Sequence, residues 1–237
     1  GCMTSLAPLV DTPSLDKLAY QKIKEAILTF QFLPGQNLVE GELAAQLGIS
    51  KTPVRDALMR LEKEGLVSRQ PYKGTFVSDI TNQDMVNIFE IRVVLEGLAV
   101  KLAAKALTDD DLARMEGLIK KHDAALQEQD YVKASQINAD FHGMILEKCS
   151  NQRLREMLHN LDDHLKRYRL LSIAQGVRVD KSVPEHRHIV EILRSGDPEK
   201  AEEAMKDHLN SAMWDLYDQD FEELEQRLHP RQTGEDQ

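Results

Sequence analysis

Apolar positions recur at helical spacing over most of the chain. Leu15, Leu18, Ile23, Ile27 and Leu28 share one face, and the pattern predicts a helix over 14–30. "FLPGQNL" ends it with Pro34 and Gly35. A short helix over 40–47 stops at Gly48. Thr52 then caps a third helix, with Pro53 at its first position, that runs to 64 and halts at Gly65. The period changes next: 66–69 and 75–78 are short β-prone runs around a turn at 71–74, a small hairpin. After residue 80 the helical period returns and holds, predicting helices over 82–106, 109–129, 131–149, 152–173, 185–194 and 198–228. Thr81 and Asp84 pattern as a capping box, and Thr108 caps the next helix. "AQGVRV" and "SGDPE" are the clearest breaks, and 1–13 and the terminal "TGEDQ" read as loose ends.

The expected fold is therefore mostly α. A winged helix-turn-helix over 14–80 precedes an antiparallel bundle of about six helices over 81–228. In the winged order the second short helix of the turn enters the major groove. Ser50, Lys51 and Thr52 stand at its N-terminal end, where free backbone N–H groups favour phosphate. Arg55 lies one turn on along the same face, where its fork suits a guanine edge. Val54, Ala57, Leu58 and Leu61 form the opposite, buried face. Lys73 and Gly74 at the hairpin tip can reach the adjacent backbone or minor groove, and Arg69 is a weaker phosphate candidate. Taken singly, each of these cations also fits a solvated basic face; their ordered combination is what points to double-stranded DNA.

Charge sharpens that reading. The chain carries a formal net charge of −10, but 14–80 holds nine Lys/Arg against eight Asp/Glu, and 81–237 holds 21 against 31. The acidity belongs to the second part, and charges more than about 10 Å apart are largely screened at cellular salt. Only two cysteines occur, Cys2 and Cys149, too few for a disulfide framework. No apolar stretch approaches a membrane span and no secretion signal is present, so no membrane partner is expected and the cytoplasm is the expected location.

In the second part three histidines stand out. "NADFH" places Asn138 and His142 on one helix face, "PEHRH" supplies His186, and "MKDHL" supplies His208 on the last helix. Three imidazoles from three helices can converge and hold a divalent metal, zinc or nickel, with a side-chain oxygen as fourth ligand. Spacing alone favours histidines hydrogen-bonded within a core or at the surface over a metal site. His122, His159, His164, His188 and His229 are read that way. Arg167 and Arg169 are further candidates for a pocket wall. A metallo-enzyme with the bundle as catalytic domain is the rival reading, but no general-base carboxylate or nucleophile motif accompanies the histidines.

"ELAAQLGISKTPVRDALMRLEKEGLV" followed by "YKGTFV" resembles the DNA-binding domain of the GntR family of bacterial transcription regulators. The resemblance puts Ser50, Lys51, Thr52 and Arg55 on the family's base- and phosphate-contacting positions and Lys73–Gly74 on its wing contact. Many members carry a basic residue where this chain has Gly41, so one contact of the family's set is missing here. "IFEIRVVLEGLAVKLAA", "DFHGMILEKCSNQRL" and "EHRHIVEILRSGDPEKAEEAMKDHL" resemble the FCD ligand-binding domain of the FadR-like subgroup. That resemblance implies metal ligands Asn138, His142, His186 and His208, and an organic acid effector whose carboxylate completes the coordination sphere. It also implies a homodimer on a palindromic operator, commonly a repressor released by its ligand. Asn138 stands where Asp is common, which leaves a divalent ion at +2 rather than +1 and strengthens its pull on an anion. Arg92 matches a position used near the cavity; it also fits a surface ion pair with Glu96 one turn on.

Overall fold

A computed structural model describes residues 14–79, 81–174 and 179–217, with backbone only for 171–174 and 179–180. The chain divides into two units, the break falling between Asp79 and Ile80.

In the first unit α1 (Leu15–Leu28), α2 (Glu40–Leu47) and α3 (Lys51–Lys63) precede an antiparallel hairpin of β1 (Val67–Gln70) and β2 (Gly74–Val77). Leu15 and Leu18, expected on the buried face of α1, are exposed, whereas Ile23, Ile27 and Leu28 enter the core. Gly48 ends α2 in the left-handed region, φ 67°, which frees the chain to turn sharply into α3. That helix starts two residues earlier than its sequence suggests: Ser50 rather than Thr52 is the N-cap, and Pro53 occupies the third position, not the first. Pro is tolerated there because the first N–H groups of a helix have no intrahelical acceptor to lose. Val54, Ala57, Leu58 and Leu61 are all at most 1% exposed, as the pattern requires, and pack against Ile23, Ile27 and Leu43. The hairpin pairs Val67 with Val77 and Gln70 with Gly74, one residue later than predicted on β1 and one earlier on β2. A third, irregular segment lies along β2: Leu38 N–H donates to Thr75 O at 2.7 Å and Gly35 N–H to Val77 O at 2.9 Å. Gly74 has φ 126°, which favours glycine, and a Cβ there would sit 2.8 Å from Asn37 Oδ1, so that the Asn37 side chain would also have to shift.

The second unit is helical throughout its described residues: α4 (Asn82–Ala103), α5 (Asp109–Gln127), α6 (Tyr131–Lys148), α7 (Gln152–Ala174), α8 (Val179–Ser195) and α9 (Pro198–Tyr217). Thr81 accepts from the Asp84 N–H, and the full reciprocal capping box forms at Thr108 and Asp111. α8 begins before Pro184, not after it; the ring sits inside the helix, where the fixed φ suits helical backbone and one ladder bond is given up. The predicted break at 174–179 falls largely on 175–178, and the extension of the last helix to 228, the loose ends and His229 all lie outside the described residues. α4 packs on α9 and α7, α5 on α6 and α8, and α8 on α9. Met115, Phe141, Ile145, Ile189, Met205 and Leu209 form the centre of the core, each at most 1% exposed. Cys149 is buried beside Leu154 and Leu158.

Candidate nucleic-acid interface and metal centre

The first-unit candidates are all exposed to solvent. Ser50, Lys51, Thr52 and Arg55 are exposed along the first turn and a half of α3, and Lys73 and Gly74 are exposed at the hairpin tip. Between helix and hairpin lies a cleft of about 480 Å³, lined among others by Asn37, Arg55, Arg69 and Lys73. Two participants were not legible in the sequence. Glu40, at the start of α2, accepts from Arg55 Nε at 3.1 and 3.3 Å and from Arg55 Nη2 at 3.0 Å, and its Oε1 lies 3.9 Å from Arg69 Nη2. Tyr72, at the tip, is fully exposed with a left-handed φ of 65°. Nothing in the local pattern marks Glu40; its role depends on where α3 and the hairpin bring their arginines. Gly41 also has a structural meaning. The Lys51 side chain lies over it, so that a Cβ at 41 would be 3.4 Å from Lys51 Cε and 3.6 Å from its Nζ.

In the second unit His142 on α6, His186 on α8 and His208 on α9 converge, with one potential ligand atom from each within 4.8 Å of the others. All three are buried. The His186 and His208 ring centres are 4.7 Å apart, and His142 is 5.4 Å from both. Two carboxylates fix the orientation of two of these rings. Glu96 on α4 contacts His142 Nδ1, and Glu185 Oε2 lies 2.7 Å from His208 Nδ1. Ser211 donates to the other Glu185 oxygen at 2.9 Å. An imidazole that gives its Nδ1–H to a carboxylate keeps its lone pair on Nε2, and outer carboxylates of this kind raise a ligand's basicity. The donor set therefore suits a borderline divalent cation such as zinc or nickel. Asn138 stands one turn before His142 on α6, half-buried.

Arg92 does pair with Glu96, Nε to Oε2 at 2.7 Å, but the pair is buried rather than at the surface. Burial on its own would push the Glu96 carboxyl up; the Arg92 guanidinium and the His142 and His208 rings outweigh it and hold that carboxyl well below the usual carboxylate range. Both residues line a cavity of about 680 Å³ together with Lys121, His142, His159 and Asp162. Arg167 is buried and Arg169 pairs with Asp162.

His122, read from sequence as a packing residue, is a buried neighbour of this centre. Its ring is 5.9 Å from that of His186, and its Nδ1 has no hydrogen-bond partner among the described residues. Burial, with His142 nearby, pushes its pKa down from 6.5 to about 4. The unfolded chain therefore takes up a proton between these values that the folded chain refuses, and stability falls as pH falls through that window. Urea unfolding should show a loss of about 2 kcal/mol between about pH 7 and 5 from this residue, and His122→Gln should flatten that part of the profile. An unchanged slope in the variant would refute the assignment.

Each of the two units matches a known protein family. Residues 15–77 match the model of the bacterial regulatory proteins of the gntR family, and residues 87–211 match the FCD domain. The chain is 28% identical over 192 residues to the uncharacterized HTH-type transcriptional regulator YdhC of Bacillus subtilis (strain 168), covering 81% of this chain and 86% of that protein. It is 31% identical over 176 residues to a probable D-xylose utilization operon transcriptional repressor of Paenarthrobacter nicotinovorans, covering 74% and 76%. Among solved structures, Escherichia coli McbR/YncC superposes with a TM-score of 0.73 at 25% identity, covering 87% of this chain and 98% of that one. No helix among the described residues is long and apolar enough to cross a membrane.

Proposed function

Because the chain belongs to the GntR family of bacterial regulatory proteins and carries an FCD domain, we propose that it binds a palindromic operator as a homodimer and answers to a small carboxylate effector held at or near a divalent metal. It is a transcription regulator and not an enzyme. The region 14–80 reads DNA. Lys51 and Arg55 on α3 enter the major groove, Ser50 and Thr52 bond phosphate, and Lys73 and Gly74 reach the neighbouring backbone. The observation that carries this is the shared exposure of all six residues on the α3 and hairpin surface.

The region 81–228 binds the effector. His142, His186 and His208 hold the metal, zinc or nickel, with the Asn138 oxygen as a further donor. When bound, the ion supplies a positive centre that draws a carboxylate. Arg92 offers a guanidinium in the adjoining cavity, and Glu96 and Glu185 orient the His142 and His208 rings. A second copy of the chain suits α4, whose Ile91, Val94, Leu98 and Leu102 form an apolar stripe with 39–60% exposure. Repression relieved by effector in the cytoplasm is the working mode.

Selection of duplexes from a random library by the purified protein tests this directly. The expected product is an inverted repeat with half-sites about one helical turn apart, bound by two chains. Recovery of an unrepeated motif, or of no motif, refutes the proposal.

A further inference from the structure

A surface that must face a polyanion carries an acid at its centre. Glu40 accepts from Arg55 through Nε and Nη2, with three contacts of 3.0–3.3 Å. That engages one edge of the guanidinium. Nη1 has no partner among the described residues, Nη2 keeps a second hydrogen for the terminal edge that the two nitrogens share, and the Arg55 side chain is 55% exposed. The same carboxylate reaches toward Arg69 of the hairpin at 3.9 Å. Glu40 thus stands between the recognition helix and the hairpin, in the cleft that also holds Lys73 and Gly74.

An exposed ion pair of this kind adds little to stability, so its effect is sought in recognition. A carboxylate at this place repels phosphate and lowers affinity for every duplex alike. It also removes freedom from Arg55. A guanidinium held along its side can present only its end, and the end-on fork is the geometry that matches O6 and N7 of guanine. An arginine without that restraint swings to whichever phosphate is nearest. We propose that Glu40 is a positioning residue for sequence readout: it fixes Arg55 by one edge so that the other meets a guanine, and it withholds the same arginine from indiscriminate phosphate contact. This rests on the assignment of Arg55 as a base-reading residue.

The test compares two duplexes, one selected by the wild-type protein from a random library and one of the same composition with scrambled order. For Glu40→Ala, affinity for the selected duplex should fall about tenfold, by loosening the same base contact in both half-sites. Affinity for the scrambled duplex should rise severalfold, because a repulsive charge is gone. Glu40→Gln keeps an acceptor and should lie between the two on both duplexes. Opposite signs on the two duplexes are what neither a repulsive nor a structural role produces. An equal gain on both would reduce Glu40 to a repulsive charge, and an equal loss on both would make it a structural residue; either overturns the proposal, as do unchanged affinities. Arg55→Ala serves as the control. If it leaves discrimination between the duplexes intact, the reading of Arg55 fails first, and the role of Glu40 fails with it.

Discussion

Arg55→Ala is expected to abolish useful operator recognition while leaving the fold untouched. A bidentate arginine–guanine contact contributes about 1–3 kcal/mol to discrimination. A homodimer loses it at both half-sites, so affinity should drop about thirtyfold or more. Arg55 is exposed, its helix is anchored by Val54, Leu58 and Leu61 on the other face, and its ion-pair partner among the described residues is the half-buried acid Glu40. Thermal stability should therefore stay within about 0.5 kcal/mol of wild type. Gel-shift titration on the selected duplex and on a scrambled one provides the measurement. Retained affinity with retained discrimination would remove Arg55 from the reading set.

The second large effect is expected at His142. Its replacement by alanine takes away one of three converging imidazoles. Loss of a ligand's outer hydrogen-bond partner alone weakens metal binding by about 10–100-fold, and loss of the ligand itself should exceed that. Metal content of protein purified without chelator, and titration of the demetallated protein with zinc and nickel, report the change. The bundle should persist, because Glu96 keeps its buried ion pair with Arg92 and the core around Phe141, Ile145 and Met205 is not disturbed. Circular dichroism checks that. Unchanged metal content in a folded variant would discard the site.

The elements that sequence reading captures well are those fixed by local chemistry. Gly48 and Gly65, the Thr81 and Thr108 caps, and the apolar face of α3 all sit where the pattern puts them. Errors arise where two local rules compete. Pro53 reads as the first residue of its helix, and the next-to-last helix reads as starting only after Pro184, yet one is the third residue of its helix and the other lies inside it. The convergence of His142, His186 and His208 is suggested by their helices but is decided by how α6, α8 and α9 pack. What local sequence conceals altogether is the outer set of partners. Glu40, Glu96 and Glu185 are ordinary acids in the chain, and each acquires meaning only from a side chain far away in sequence: Arg55, His142 and His208 respectively. His122 belongs with them, since only burial beside His186 sets it apart from the exposed His159 and His188.

The side chain of Lys51 resting on Gly41 bears on how such a reader is retargeted. The cation that many family members carry at position 41 is not simply missing; its ground is held by a neighbour that arrives from the next helix. The two positions thus adjoin, and a side chain at 41 would lie in van der Waals contact with the end of Lys51. Altering operator preference at this corner is for that reason a paired exchange: Gly41→Arg made alone would set a second cation against Lys51, and the two would repel.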